Sequence, residues 1–586
     1  MAVDQSPMNK LITEHIDIWT SAVKTKSTSG RGSSKKLELY GVKKLRELIL
    51  ELAVRGQLVP QDPNDEPASV LLERIAAEKA ELVKGKIIKK SKSLPVVSKK
   101  EQPFVLPKGW VWERLGNIGI GATGKTPSTK QSIFFEGSIP FIGPGQINQN
   151  GEILVPEKFL SCEGLLNSTE AIEGDILMVC IGGSIGKAAI ARQTVGFNQQ
   201  INAIRALQMP SAYLYTSLST DSFLQELLKK ATGSATPIIN RRKWEELLVP
   251  IAPLEEQYRI VAKVNELMAL CDQLEQQTEA SIEAHQVLVT TLLDTLTNSA
   301  DADELMQNWA RISEHFDTLF TTEESIDQLK QTILQLAVMG KLVPQDPNDE
   351  PAAKLLKRIA DKKAQLVKEK KIKKQKALPP ISEDEKPFKL PNGWEWERIG
   401  TFGVVGTGAT PSRSNPKYWD DPKYNWVSSG ETSELFVSTT KEKVSELAIQ
   451  ETNVSIYPSG TLIVAMYGQG KTRGQITELT EPAGTNQACA AIQLIEKNES
   501  HKDFVKLYFR KSYEELRSNA AGGAQPNLNV GKVQSTVIAV PPLNEQRRIN
   551  TKVNELLTVC DHLKAHFEAV HTTQLYLTDA IVEQAV

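Results

Sequence analysis

No run of apolar residues in this 586-residue chain approaches the roughly 18 needed to cross a bilayer. The opening MAVDQSPMNK also lacks the basic-then-apolar layout of a secretory signal. The expectation is a soluble, cytoplasmic protein with no membrane partner. Cysteine is sparse: Cys162, Cys180, Cys271, Cys489 and Cys560 include no C-x-x-C pair, which speaks against a disulfide framework and against zinc. Charge of one sign is missing as well. With 69 basic and 71 acidic residues the formal net charge is −2, so the bulk electrostatics offer none of the basic footprint usual in nucleic-acid-binding domains. Histidine is absent from residues 107–252, and His501 is the only one in 391–541; a histidine acid–base site repeated in both segments is excluded. His562 and His566 stand four apart on a helical stretch, but with no third ligand they are read as surface residues, and no metal is expected.

One stretch that is present argues for chemistry. GIGATGKT, Gly119 to Thr126, fits the G-x-x-x-x-G-K-[ST] pattern of a phosphate-binding loop. That alternative, a phosphate-using enzyme, is weak in context. No buried strand is evident before Gly119, and PSTKQSIFFEGSIPF after Thr126 has no helical period to supply the helix N-terminus that phosphates need. No N-P-P-[FY] stretch of an amino-methyltransferase and no D-E box of a helicase motor occurs either.

Repetition is the dominant feature. Leu45 to Lys84 and Leu329 to Lys368 are identical at 28 of 40 positions, with an unbroken run from Leu58 to Ala68, at an offset of 284 residues. LPKGWVWERLG (from Leu106) and LPNGWEWERIG (from Leu390) continue it. A second block, PLEEQYRIVAKVNELMALCDQLE from Pro253, returns as PLNEQRRINTKVNELLTVCDHLK from Pro542. The intervening segments of about 140 residues have diverged far more than their flanks. In the second half the glycine loop becomes GVVGTGAT, Gly403 to Thr410, with Ala409 in place of Lys125. A phosphate loop without its lysine is disabled.

The flanks have helical periodicity. Leu45, Leu48, Ile49 and Leu52 mark one face, Gly56 and Gly340 stand where a C′ glycine ends a helix, and PQDPNDEP turns the chain before a second helix from Asp65. In the second block Ile260, Val264, Leu267, Cys271 and Leu274, and likewise Ile549, Val553, Leu556, Cys560 and Leu563, alternate in steps of four and three. These are seams of long coiled-coil helices. Either seam could pack on its own domain, but with two equal seams the other is the obvious partner. A 40-residue helix of ~60 Å would then hold two domains apart.

The expected fold class is α+β: two mixed α/β, β-rich domains joined by long antiparallel coiled-coil helices in a pseudo-twofold internal repeat. The expected boundaries are an N-terminal appendage 1–40 with a flexible linker at Gly30 to Lys36, a hairpin 41–106, a first domain 107–252 and a central helix 253–298. A helical segment 299–390, a second domain 391–541 and a final helix 542–586 complete the chain. GDILMVCIG from Gly174 and GTLIVAMYG from Gly460 should be strands; helices are expected near Phe223 to Lys230 and Phe504 to Arg517.

At LAVRGQLVPQDPNDEPA with its echo LAVMGKLVPQDPNDEPA, and at PLEEQ…KVNEL with PLNEQ…KVNEL, the chain resembles the specificity subunits of type I restriction-modification enzymes. The resemblance spans both repeats and both intervening domains. It implies a non-catalytic subunit that binds double-stranded DNA, two modification subunits using S-adenosylmethionine, and two restriction (motor-nuclease) subunits using ATP and Mg²⁺, with no cofactor in this chain. Each domain would read one half of an asymmetric two-part site. A coiled-coil scaffold without DNA readout is the remaining alternative.

The residues expected at DNA are Lys125, Thr126, Ser128, Lys130, Lys187, Asn198, Gln199 and Gln200 in the first domain. In the second they are Thr410, Ser412, Arg413, Lys471, Arg473, Asn486 and Gln487. Arg and Lys suit guanine, and Asn and Gln suit adenine. Residues shared by both halves should shape loops or meet backbone, so Lys130, Arg413 and Arg473, found in one half only, are the better specificity candidates. The basic runs KIIKKSK (Lys86 to Lys92) and KIKKQK (Lys371 to Lys376) are read as solvated surface. Trp110, Trp112, Trp394 and Trp396 are read as core collars.

Overall fold

The computed structural model describes residues 7–26, 36–90, 92–233, 236–300, 302–467, 472–513 and 528–586. The chain forms two compact units, Met1–Ile282 with Val570–Val586, and Glu283–Ala569. Among the described residues no helix is long and apolar enough to cross a membrane.

In the first unit the helical hairpin is Tyr40–Val54 followed by Ala68–Lys84. Leu45, Leu48 and Ile49 are fully buried, as spacing on one helical face requires. Gly56 at φ +69° lets the chain leave the first helix; a Cβ there would meet the Pro107 ring at 2.5 Å. Gly340, at φ +72°, plays the same part against Pro391 in the second unit. Gly56→Ala combines left-handed strain with a clash, so urea unfolding should show a loss of about 1–3 kcal/mol. The second hairpin helix starts at Ala68, not Asp65, because the Asp65 carboxylate is held by Arg259 at 2.5 Å and Pro67 supplies the N-terminal boundary.

Residues 7–22, expected as an appendage, are two short helices, Pro7–Glu14 and Ile16–Ser21, closed onto the hairpin. Trp19 is fully buried, and the Gly41 amide donates to the Ala22 carbonyl at 2.9 Å. The second unit has the same device in Ala302–Glu314 and Phe316–Leu319. The expected linker at Gly30 to Lys36 lies outside the described residues except for Lys36, which opens the strand Lys36–Glu38. The Phe504 to Arg517 helix is observed as Glu499–Lys511; residues 514–517 lie outside the described set.

The two long helices are Leu254–Asn298 and Leu543–Ala585. Ile260, Val264, Leu267 and Cys271 lie in one apolar core with Leu45, Leu48, Ile49 and Leu52, and Leu274 packs against it. Ile549, Val553 and Cys560 lie in the core of the second unit with Leu329 and Ile333, with Leu556 and Leu563 against it. Each named seam therefore closes on the hairpin of its own unit rather than on the other seam. The reason is local: the hairpin helix presents an apolar stripe as long as the seam itself. Other stretches of the long helices complete each core. Ile581, Val582 and Ala585 lie against the first core, as do Leu274 and Ile282, and Leu293 and Leu296 belong to the second, against which Leu292, Leu563 and Phe567 pack.

Each β-rich domain sits between hairpin and long helix in sequence, with its two ends paired. Val111–Arg114 runs antiparallel to Leu248–Ile251, and Glu395–Arg398 to Val537–Val540. The first domain then has two four-stranded sheets. One orders Gly119–Thr123, Ile201–Ala206, Ile176–Val179 and Ala188–Ile190; the other orders Lys158–Leu160, Ile139–Ile142, Val195–Phe197 and Glu170–Ala171. The second domain has a five-stranded sheet, Gly403–Thr407, Cys489–Leu494, Leu462–Ala465, Ile476–Leu479 and Phe436–Val437, and a three-stranded sheet, Glu442–Val444, Tyr424–Val427 and Ala483–Thr485; the order matches the first domain except at the edges, where Phe436–Val437 is added to the larger sheet and the smaller has no strand in the place of Glu170–Ala171.

Candidate nucleic-acid interface

The domains are fastened to the helices by the residues that the two halves share. The Trp110 indole donates to Glu256 at 2.9 Å, and Trp394 to Glu545 at 2.9 Å. Gln61 and Gln345 donate to the other oxygen of each carboxylate. Burial pushes both carboxyls up from the ordinary range, against these hydrogen bonds. Trp112 is buried, its indole donating to the Phe104 carbonyl at 3.2 Å, while Trp396 is half-buried beside Phe388.

Arg114 and Arg398 are almost fully buried and tie down the segments after the hairpins. Arg114 donates to the Pro95 and Glu246 carbonyls and pairs with Glu101 at 2.9 Å. Arg398 donates to the Pro379 and Ser535 carbonyls and pairs with Glu385 at 2.7 Å. The guanidinium hydrogen bonds hold both carboxyls at about 2. Lys79 and Lys363 reach from the second hairpin helix to the Gly119 and Gly403 carbonyls, at 2.9 and 3.2 Å, which fixes where the first sheet strand begins.

From that start Gly119–Thr123 is an ordinary strand, paired along its length with Ile201–Ala206. No helix opens after Thr126; the next element is a single 3₁₀ turn, Ser132–Phe135. The phosphate-loop geometry of strand, glycine loop and helix N-terminus is not formed.

Strand direction gathers the polar loops at one end. Thr123 ends its strand opposite Asn202, and Val179 ends opposite Ile201. The parallel pair of Ile139–Ile142 and Val195–Phe197 points the same way. The loops 124–131, 180–187, 198–200 and 143–150 therefore emerge together. Hydrogen bonds stitch them: the Lys125 amide to the Phe197 carbonyl (2.9 Å), the Asn198 amide to the Ile142 carbonyl (3.0 Å) and the Cys180 amide to the Gln200 carbonyl (2.8 Å).

The side chains expected from the sequence occupy this end. The Thr126 hydroxyl donates to the Gln199 carboxamide oxygen at 2.7 Å, Pro127 is buried, and Lys125, Ser128 and Lys130 are exposed. Gln200 donates its amide to the Asn198 side chain at 3.0 Å. Gly124 is required here, since a Cβ would meet the Asn198 carbonyl oxygen at 1.9 Å. Lys187 closes the hairpin after Ile176–Val179, whose Gly182 and Gly186 have φ near +85° and +89°.

The second domain repeats the arrangement. The Thr410 hydroxyl donates to Gln487, the Asn486 amide donates to the Val427 carbonyl at 3.0 Å, and the Met466 amide to the Ala488 carbonyl at 2.7 Å. Ser412 shares a hydrogen bond with Ser414 at 2.8 Å. Arg413 is ion-paired to Glu442, NH2 to Oε2 at 2.8 Å, which draws that carboxyl below its ordinary range. The Arg473 Nε is buried with no hydrogen-bond partner among the described residues. Lys471 lies outside the described residues.

Sequence reasoning missed the loop Gly143 to Asn150, GPGQINQN, and its counterpart from Ser428. Gln146 accepts from the Gly143 amide at 3.0 Å, and Asn148 accepts from Asn150 and Glu152. The signal was available: polar, glycine-bearing loops directly after the apolar runs IPFI and YNWV. Among the described residues no cluster of three or more His, Cys, Asp or Glu side chains is arranged to hold a metal.

Residues 107–284 and 391–567 match the family described as the type I restriction modification DNA specificity domain. The type I restriction enzyme EcoAI specificity subunit of Escherichia coli is 43% identical, covering 99% of this chain and 100% of that protein. The EcoEI specificity subunit, also of Escherichia coli, is 42% identical over 99% and 100%. A solved chain from work on complex assembly and conformational transition of the type I R-M system superposes with a TM-score of 0.51 at 18% identity, over 82% of this chain and 99% of its own, a likeness of fold. Two β-rich domains with the same core strand order on duplicated helical collars, matched along the whole length by these relatives, place the chain in the family of type I restriction-modification specificity subunits.

Proposed function

We propose that each domain of this specificity subunit reads one half of an asymmetric two-part duplex site through the loops gathered at its sheet end. The helices dock two modification subunits, and two restriction subunits complete the cytoplasmic complex. Adenine methylation with S-adenosylmethionine, and ATP- and Mg²⁺-dependent cleavage, belong to those partners, and this chain supplies no catalytic group. The observation that supports this reading is the pairing of near-identical collars with domains of one core strand order whose exposed loop residues differ. Shared collars suit a partner met twice; unlike loops suit two different sequences.

Near-neutral charge fits the same reading. Phosphate contacts dominate DNA affinity, so the isolated chain should bind weakly and gain affinity when basic surfaces of the modification subunits complete a clamp. Methylation mapping of DNA from cells carrying this chain and its partner subunits is the test. One two-part sequence is expected; turnover of any substrate by the purified chain alone would overturn the proposal.

Lys125→Ala discriminates the phosphate-loop alternative. With Lys125 an exposed loop residue in one domain only, the variant complex should lose no more than about tenfold in DNA affinity, the scale of a single contact. Complete loss of activity would restore the alternative.

A further inference from the structure

We propose that Arg413 reads a guanine in the half-site of the second domain, with Glu442 as the residue that positions it. This rests on the reading of that domain as a DNA reader.

The guanidinium is held on two sides. Glu442 takes its two terminal nitrogens in a bidentate pair, and the Trp419 ring lies 4.0 Å from it, with Trp426 at 5.5 Å. The two indoles brace each other edge to face at 5.4 Å, and their N–H groups donate to the Ser412 and Ala409 carbonyls. The cradle is thus bonded to the loop that carries Arg413. Arginine has five N–H donors. Glu442 uses the end of the fork, and no acceptor among the described residues meets Nε. The side edge, Nε–H with one remaining terminal hydrogen, is available for the O6/N7 pair of guanine.

Stability does not account for the arrangement. Arg413 is 55% and Glu442 43% exposed, and an ion pair so exposed contributes little. Its position does account for it. Glu442 pairs across the sheet with Trp426, and the strand Tyr424–Val427 runs parallel to Ala483–Thr485, which feeds Asn486 and Gln487. Arg413 follows Thr410, which is bonded to Gln487, so the guanidinium stands among the gathered loops.

The first domain supplies the contrast. Phe141 occupies the register of Trp426, and its cross-strand partner is Lys158. Thr129, next to the shared Thr-Pro-Ser, stands where Arg413 does. The carboxylate has become a cation and the guanidinium has gone. A device built into one reader and absent from the other is what discrimination between two half-sites requires.

The test uses the complete methyltransferase complex and its mapped site. Each guanine of the second half, on either strand, is replaced in turn by 7-deazaguanine, which removes the N7 acceptor. One position should cost the unaltered complex roughly 10- to 100-fold in affinity. Arg413→Ala should cost as much on normal DNA and nothing further on DNA modified there. Arg413→Lys should not rescue, because the fork is lost. Glu442→Gln should weaken binding to normal DNA and leave binding to the modified DNA unchanged. A half-site without guanine, no position coupled to Arg413, or full rescue by lysine would each overturn the proposal. Site-specific methylation by the unaltered complex would meanwhile uphold the reading on which it rests.

Discussion

Exchanging residues 110–250 for the corresponding segment of a specificity subunit that reads another sequence, with tryptophan kept at 110, changes one half of the methylated site and leaves the other half as it was. The junctions make this an all-or-none result. Val111 pairs with Ile251 and Arg114 with Leu248, so a graft enters and leaves through a single two-stranded ribbon. The anchor beyond it, Trp110 on Glu256, is built from collar residues that both halves share. The hairpin core of Leu45, Leu48 and Ile49 with Ile260 and Leu267 continues into the exchanged segment through Tyr213, Leu214 and Phe223, so the incoming segment must carry apolar residues at those three positions. Methylation mapping of cellular DNA checks the outcome. If both halves of the sequence changed, or neither, independent reading by the two domains would be wrong.

Glu478→Ala should destabilise the second unit by about 3 kcal/mol, a large share of the 5–15 kcal/mol typical of a domain. Glu478 is 7% exposed in the strand Ile476–Leu479. It meets Lys502 at 2.6 Å and Lys506 at 2.7 Å, both from the helix Glu499–Lys511. Removing the carboxylate leaves two nearly buried ammonium groups short of their counter-charge. Lys502 would keep Glu499 at 2.5 Å, and Lys506 would keep Asp503 at 3.5 Å and the Phe436 ring at 4.1 Å, which limits the loss.

The sign of the pH effect follows from the same contacts. Burial alone would raise the Glu478 carboxyl, but the two lysines outweigh it and hold it below its ordinary value. Its contribution is therefore complete above the usual carboxylate value of about 4.3 and is lost as the pH falls through the lower folded value. Urea unfolding of the intact chain between pH 6 and pH 3, in round figures, should show this loss, and the variant should show a flatter profile. The first unit carries Ile190 at the matching register, opposite Ile176 as Glu478 is opposite Leu462. The topology itself does not need the ion cluster.

How far the fold was legible depended on the kind of signal. Hairpin, C′ glycines and long helices follow from apolar spacing and from Gly56 and Gly340, because those are local rules. The first copy of the short helices was overlooked because I-x-E-H-x-D at Ile12 and at Ile312 recurs at an offset of 300, not 284. The extra residues before Tyr40 in the first half shift the register. The partner of each seam was equally hidden: periodicity states that Ile260 and Leu267 must be covered, not by what. In the gathered loops, Thr126, Gln199, Thr410 and Gln487 are legible as polar residues shared by both halves, but that each threonine bonds its glutamine depends on strand order. The Glu442 partner of Arg413 is 29 residues away in sequence and carries no motif.

The division of the chain bears on how the protein is made. Residues 570–586 belong to the first unit: Tyr40 donates to Asp579 at 2.6 Å, Arg55 reaches the Val586 carbonyl, and Ile581 and Val582 lie on the core formed by Leu45 and Leu48. Domains usually fold in the order in which the ribosome delivers them. Here the hairpin face closes on Ile260 to Cys271 as soon as that helix is made, but the unit begun first cannot be finished until the other has been translated in full, and the part of its core met by Ile581 and Val582 must wait for the last residues of synthesis.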